Sequence, residues 1–593
     1  MMMSQEAAIK SDDQNGDHSG VLAADGLSVG ERPKGANRRK FLGQVGAAAT
    51  FAAGALASPS VSRAEAIGDS SNSPGALGPL ADVNNHRVRQ AFEIRMAEAV
   101  KDASLPAATN LTNGDEARYA DKGGTYTKGL LHDSFGRVDP KAYQTFKTAL
   151  NSGEFSDFQK IIMGGTRTLN GPQAGLAFCL VALDNAQFGQ PQVPPAPAAA
   201  SHQNATELLE HYWASLLRDV AFTDYPSNYL AALAAAELGS QPTYLGPRNR
   251  SGQVTPDLLF RGAFPGETLG PYLSQFFLQP TFFGSQPIGQ QQVTYLPNID
   301  YGTNFAEWLD VQNGIDTGLQ NQVDRQLRYR RNGRDLAAFT HVDVLYQAYF
   351  TAFLMLAGID APLNPGNPYN DSRTENGFGS FGGPDMAGTL AAVSGVALNA
   401  VWYQKWFVHL RPRPEAIGGL VHLIKTGQGN KTDVRLSDVI LNSRGLQQSF
   451  NKYGTWLLSQ AFPEGSPTHP AYPTGHGTVG GACITVLKFF FDGNFVIPNP
   501  VVPTSDGLSL VPYTGSDAAR LTVNGELNKL GHNVSFGHGI HAGIHWRSDT
   551  DTSLLLGEAV ALSYLKDRAK TYNEPFTVKL TKFDGTIATI SNQ

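Results

Sequence analysis

Over long stretches from residue 85 onward the apolar positions fall three and four apart, the spacing of a helix that lays one face on a core. Asn85 to Val100 carries Val88, Phe92, Met96 and Val100, and Ala205 to Val220 carries Leu208, Leu209, Tyr212, Trp213, Leu216 and Leu217; both are expected to be core-facing helices. The pattern returns at Asp335 to Leu356, Asp385 to Leu410, Val479 to Phe491 and Asp551 to Lys566. Between residues 242 and 321 it breaks into Gly, Pro, Gln and aromatic residues, a mixture expected to form long packed loops and short helices, since its aromatic content is too high for disorder. At the far end the period changes to two. Phe576 to Ile590 alternates about Asp584-Gly585, which predicts a β-hairpin. The expected class is all-α, with long packed loops and a C-terminal β-hairpin.

Composition narrows the function classes. The 593 residues are 41% hydrophobic and 17% charged with net charge −6, enough for a large core and without the basic excess of a nucleic-acid binder. Cys179 and Cys483 leave room for one bridge at most and exclude a disulfide framework. The leader has an order of its own. After a polar stretch, Arg38-Arg39-Lys40-Phe41-Leu42 precedes a weakly apolar Ala/Gly run from Val45 to Ala57, and a small-residue cleavage site follows Ala64-Glu65-Ala66. Residues 1–66 therefore read as a disordered start and a twin-arginine-type signal peptide, and export to the periplasm or beyond is expected, with no membrane span in the mature chain. Residues 67–593 would be the helical domain, with lobes of roughly 67–330 and 331–593.

Three segments carry chemistry. In Thr468-His469-Pro470-Ala471-Tyr472-Pro473-Thr474-Gly475-His476-Gly477 the prolines give way to the apolar run, so Thr474, Gly475 and His476 sit at a helix N-terminus. Unpartnered N–H groups and the helix dipole make that a seat for an oxyanion. In Lys405-Trp406-Phe407-Val408-His409-Leu410-Arg411-Pro412-Arg413-Pro414 the prolines end a helix near Leu410, and an ammonium and a guanidinium emerge close together, a pair suited to a tetrahedral anion. The third segment, residues 528–549, holds His532, His538, His541 and His545 ahead of another helix, with Asp549 placed to orient the His545 imidazole and Ser548 or Asp549 to cap the helix. A metal site on one face made by His538, His541 and His545 is the competing reading; Gly537, Gly539 and Gly543 oppose the regular helix it needs.

In that order the three segments resemble the active-site signature shared by vanadium-dependent haloperoxidases and type 2 phosphatidic acid phosphatases. The interval from Lys405 to Arg413 and stretches such as Leu217-Arg218-Asp219-Val220 and Glu307-Trp308-Leu309 are most similar to the algal-type bromoperoxidase branch. The resemblance implies two four-helix bundles with vanadate at the mouth of one. It also implies that Lys405, Arg413, Thr474 and the N–H of Gly475 hold vanadate oxygens and that His545 is the axial ligand to vanadium. His476 would be the acid–base residue acting on hydrogen peroxide, His469 a second active-site histidine, and Asp343 a candidate partner for Arg413. Hydrogen peroxide, bromide or iodide and small organic molecules would be the reactants, and a homo-oligomer the assembly.

Two departures stand out. The family's serine before Gly-His is Thr474, and its arginine six residues before the axial histidine is Gly539. His538, His541 and Arg411 are the residues that could stand in for that guanidinium. A phosphatase working through a phosphohistidine at His545, and an oxyanion-binding relative without catalysis, are the alternative functions.

Overall fold

The computed structural model of the chain describes residues 84–190 and 192–593, of which residues 94–593 form one compact unit. The leader expected over residues 1–66 lies outside the described residues. The helices that matter for the site are α1 (Asn84–Ala103), α2 (His202–Leu217), α3 (Gly333–Val342), α4 (Gln347–Gly358), α5 (Gly383–Tyr403), α6 (Pro414–Lys425), α7 (Gly475–Phe490), α8 (Val523–Phe536) and α9 (Arg547–Ala569). The all-α expectation is met, and the terminal hairpin forms as Thr577–Thr581 paired antiparallel with Ile587–Ser591. The 242–321 stretch holds more β-structure than its composition suggested. Thr281–Phe283 pairs with Gln286–Ile288, and Gln292–Tyr295 pairs across the following loop and helix with Val323–Arg328. Such short ladders give too few alternating residues for a sequence period to register.

α7 is buried along its entire length, and that burial organises the core. It packs between α5, which turns Leu390, Val393, Ala397 and Val401 inward, and α9, which contributes Leu554, Val560 and Ala561. The approach to α9 is backbone to backbone. A Cβ on Gly481 would collide with the carbonyl oxygen of Leu554, and one on Gly557 with that of Thr478. Only glycine allows helices that close. The stretch 383–425 is long and apolar enough to cross a membrane by length and composition, yet it holds Lys405, Arg411 and Arg413, all buried inside the protein.

Two expectations are corrected. The periodic run Asp335 to Leu356 is two helices, α3 and α4, and Asp343 lies in the break with extended backbone, not within a helix. The apolar pattern runs through the break, so periodicity alone joins them. α2 is core-facing as expected, but on α1 the stripe Val88, Phe92, Met96 and Val100 is exposed. Amphipathic spacing marks a face able to be buried and does not name what covers it. Cys179 and Cys483 are both free thiols.

Behind α9, the buried His532 bonds Glu267 through Nδ1 and Asp551 through Nε2 at 2.9 Å. Burial alone would lower its pKa, but the two carboxylates outweigh burial and raise it to about 9. A folded pKa above the unfolded one stabilises fully below the unfolded value and is lost as pH rises through about 9. The stability advantage of wild type over His532→Gln is expected to be on the order of 2 kcal/mol at about pH 6 and to shrink toward zero beyond about pH 9.5, as read from denaturant melts at the two pH values.

Candidate active site

α5 does not end cleanly. After Tyr403 the chain widens into a π-helical turn, Gln404–His409, and leaves it through Leu410 in the left-handed region at φ 47°. Lys405 lies in that turn, fully buried, and its Nζ donates to the carbonyl oxygens of Pro470 and Ala471, both at 2.9 Å. The ammonium is thereby fastened to the second chemical segment. Pro412 and Pro414 then hold the chain extended until α6 begins at Pro414, and extended backbone sends alternate side chains to opposite sides. Arg413 turns toward the histidines, where Nη1 meets His545 Nε2 at 2.8 Å and Nη2 meets His469 Nδ1 at 3.0 Å. Arg411 turns away and donates to Asp549 at 2.7 Å, Ser548 at 2.8 Å and Asn204 at 2.9 Å.

The second segment reaches α7 through Thr474, whose backbone is extended and whose side chain makes no capping bond. Its hydroxyl is buried without a hydrogen-bond partner. Gly475 and His476 open the helix, so their N–H groups belong to the first turn, which has no intrahelical acceptors. His476 Nε2 bonds Asp343 Oδ1 at 2.9 Å. The expectation that Asp343 would pair with Arg413 is therefore wrong. Asp343 is the carboxylate of His476, fixing that imidazole's orientation and leaving Nδ1 for proton exchange.

The third segment departs from a regular helix too. α8 gives way to a second π-helical turn, Gly537–His541, after which His545 sits just ahead of α9. Its Nδ1 bonds Asp549 Oδ2 at 3.0 Å, and the same oxygen accepts the Trp546 N–H at 2.9 Å. A carboxylate can only accept here, so Nδ1 carries the proton and Nε2 keeps the lone pair. Asp549 thus orients His545 as expected. Trp546 is the N-cap of α9, and Asp549 caps from the third position by accepting the Trp546 N–H, as expected of one of the two candidates; Ser548 is not the N-cap. His541 points into the core, with Nε2 2.9 Å from the Tyr272 hydroxyl, and Arg547 is paired with Glu210. Neither reaches the site.

Electrostatics say what the site is for. Lys405 and Arg413 are buried cations, and among the described residues neither forms an ion pair. Burial first, and then the field of Arg413, drives the Lys405 ammonium well below its ordinary pKa, and burial lowers Arg413 to about 10. Burial and the same two cations hold His469 and His545 neutral, far below the usual histidine value. Two desolvated positive charges, an unpartnered hydroxyl and a helix N-terminus converge on one place. Bringing charge out of water without a partner is costly, and an oxyanion would supply the partner. These residues fit vanadate.

No protein-family model matches the chain. It is 34% identical over 526 residues to the vanadium-dependent bromoperoxidase of Ascophyllum nodosum, an alignment covering 85% of this chain and 92% of the relative. The vanadium-dependent bromoperoxidase of Corallina officinalis is 32% identical over 600 residues, covering 86% and 99%. The chain belongs to the vanadium-dependent bromoperoxidase family. The fold agrees: the homohexameric structure of the second vanadate-dependent bromoperoxidase of Ascophyllum nodosum superimposes with a TM-score of 0.81 at 29% identity, covering 88% of this chain and 93% of that one.

Within this member of the family the structure brings Lys405, Arg413, His469, Thr474, Gly475, His476 and His545 to one buried place. Two partners were hidden from the sequence. Asp343 lies 133 positions from the histidine it serves, and no local pattern links them. Arg411 was read as a spare cation for the anion, whereas it braces the carboxylate behind His545. Glu207 joins that brace, its Oε2 accepting from the Ser548 hydroxyl at 2.8 Å and lying 3.6 Å from Arg411. Replacing Arg411 with Met strands Asp549 and Glu207 as buried unpaired charges. A loss of roughly 3–5 kcal/mol in denaturant-melt stability is expected, far more than the ~1 kcal/mol of an exposed pair.

Proposed function

We propose that the protein is a vanadium-dependent haloperoxidase that oxidises bromide or iodide with hydrogen peroxide to hypohalous acid, which then halogenates organic molecules. The observation that carries this reading is the pair of buried cations without carboxylate partners, Lys405 and Arg413, the latter in contact with neutral His545, beside the α7 N-terminus. In the overall reaction one halide ion, one hydrogen peroxide and one proton give hypohalous acid and water. Vanadate, when bound, supplies a pentavalent Lewis acid that makes peroxide electrophilic.

The chain's own residues do the rest. Lys405 and Arg413 would hold vanadate oxygens, the guanidinium as a fork and the ammonium as a point charge. Thr474 and the Gly475 N–H would add neutral donors, and His545 would offer Nε2 to vanadium, with Asp549 keeping the proton on the far nitrogen. His476, steadied by Asp343, would take the proton from incoming hydrogen peroxide and return it later, while His469 lies against Arg413 as a second active-site histidine. Export fits the twin-arginine-type leader, and a homo-oligomer fits both the homohexameric neighbour and the exposed stripe on α1.

Purified protein loaded with orthovanadate is expected to brominate a phenolic dye when given bromide and hydrogen peroxide. His476→Ala is expected to lower that turnover by about 10²–10⁴-fold, the usual worth of a positioned acid–base group, while orthovanadate affinity falls far less. No bromination or iodination by the loaded protein, with hydrolysis of a phosphate monoester in its place, would replace this reading with the phosphatase one.

A further inference from the structure

The family's arginine is missing at Gly539, and the wide turn at Gly537–His541 decides what takes its place. Of the three candidates, Arg411 is committed to Asp549 and His541 to Tyr272. His538 alone enters the site. Its ring lies against His476 at 4.2 Å between centroids with 33° between planes, and 5.8 Å from the ring of His545. It is 3% exposed, and its Nδ1 is buried without a hydrogen-bond partner. His211 and His409 are also buried and unpartnered, but each sits edge-on against a core aromatic, Trp546 or Tyr472, as apolar packing would place it. His538 sits among the groups that would surround the anion. Gly539 has no such opening, because a side chain there would start 3.2 Å from the Cβ of His545.

We infer that His538 is a cofactor-binding residue of this protein: its imidazole N–H donates to an oxyanion oxygen in the position where the family uses a guanidinium. This rests on the haloperoxidase reading and deepens it, because the anion would be held by two cations and one more neutral donor. A neutral ring in place of a third cation leaves the pocket less positive toward a highly charged anion.

The test is a titration of the full-length, vanadate-free protein with orthovanadate, followed by calorimetry and by the thermal shift that a ligand of the folded state produces. His538→Phe keeps a flat ring against His476 but has no N–H; His538→Gln loses the ring but keeps a donor. The expected result is about tenfold or weaker binding for Phe and binding within about threefold of wild type for Gln, the size of one hydrogen bond to a charged group. If Phe binds orthovanadate as tightly as wild type, the inference is overturned, and the haloperoxidase reading survives. If the wild type itself binds no orthovanadate, the underlying reading fails and this inference with it. Should Phe not fold, His538→Met against His538→Gln makes the same comparison, at similar volume with and without a donor, and equal affinities there overturn it.

Discussion

The structure depends on how near two helices can come. α7 carries Thr474, Gly475 and His476 at its start, and α9 carries Asp549 in its first turn with His545 just before it. The glycines at 481 and 557 remove the side chains that would hold those helices a normal distance apart. Gly477, where a Cβ would strike the Ser553 hydroxyl, does the same one turn from the site. The spacing between the α7 N-terminus and His545 is therefore set by main chain, which cannot relax as a side chain does. Everything else in the site is hung on this contact.

On that frame the charges are arranged in two layers with opposite logic. The inner layer, Lys405 and Arg413, is left without carboxylates, so it is unfavourable until an anion arrives. The outer layer is paired throughout. Arg411 meets Asp549 and nears Glu207, Arg547 meets Glu210, and Lys128 meets Glu415 at 2.6 Å while also donating to the carbonyl of Ser466. Buried pairs of this kind add little net stability, but breaking one is expensive, so they hold segments in register. The Lys128 contact ties the loop before His469 to the start of α6, and with it the approach of Arg413 to that histidine.

Much of the site was legible in the sequence, because its three segments announce themselves locally: prolines that stop a helix beside two cations, a Thr-Gly-His opening an apolar run, and a histidine four residues before an aspartate. Helix class and the terminal hairpin were legible for the same reason. The failures have a common cause in contacts that no spacing encodes. Asp343 looked like a stray charge in one long apolar helix because hydrophobic period continues across the break where it sits. α1 looked core-facing because a stripe of Val, Phe, Met and Val has the same spacing whether covered or bare. His538 could be named as a substitute but not chosen over His541 and Arg411, since the wide turn changes which side chains face inward without leaving a mark in the amino-acid pattern.

Both wide turns present a side chain to the site, Lys405 from one and His538 from the other. Each sits where an α-helix gives out, α5 running into the first and α8 into the second. Deleting a single residue from either would remove the extra residue of the wide turn and let the helix run on at regular pitch, re-aiming the side chains inside the turn and shortening the reach of the chain that follows. In these two places chain length is itself part of the chemistry.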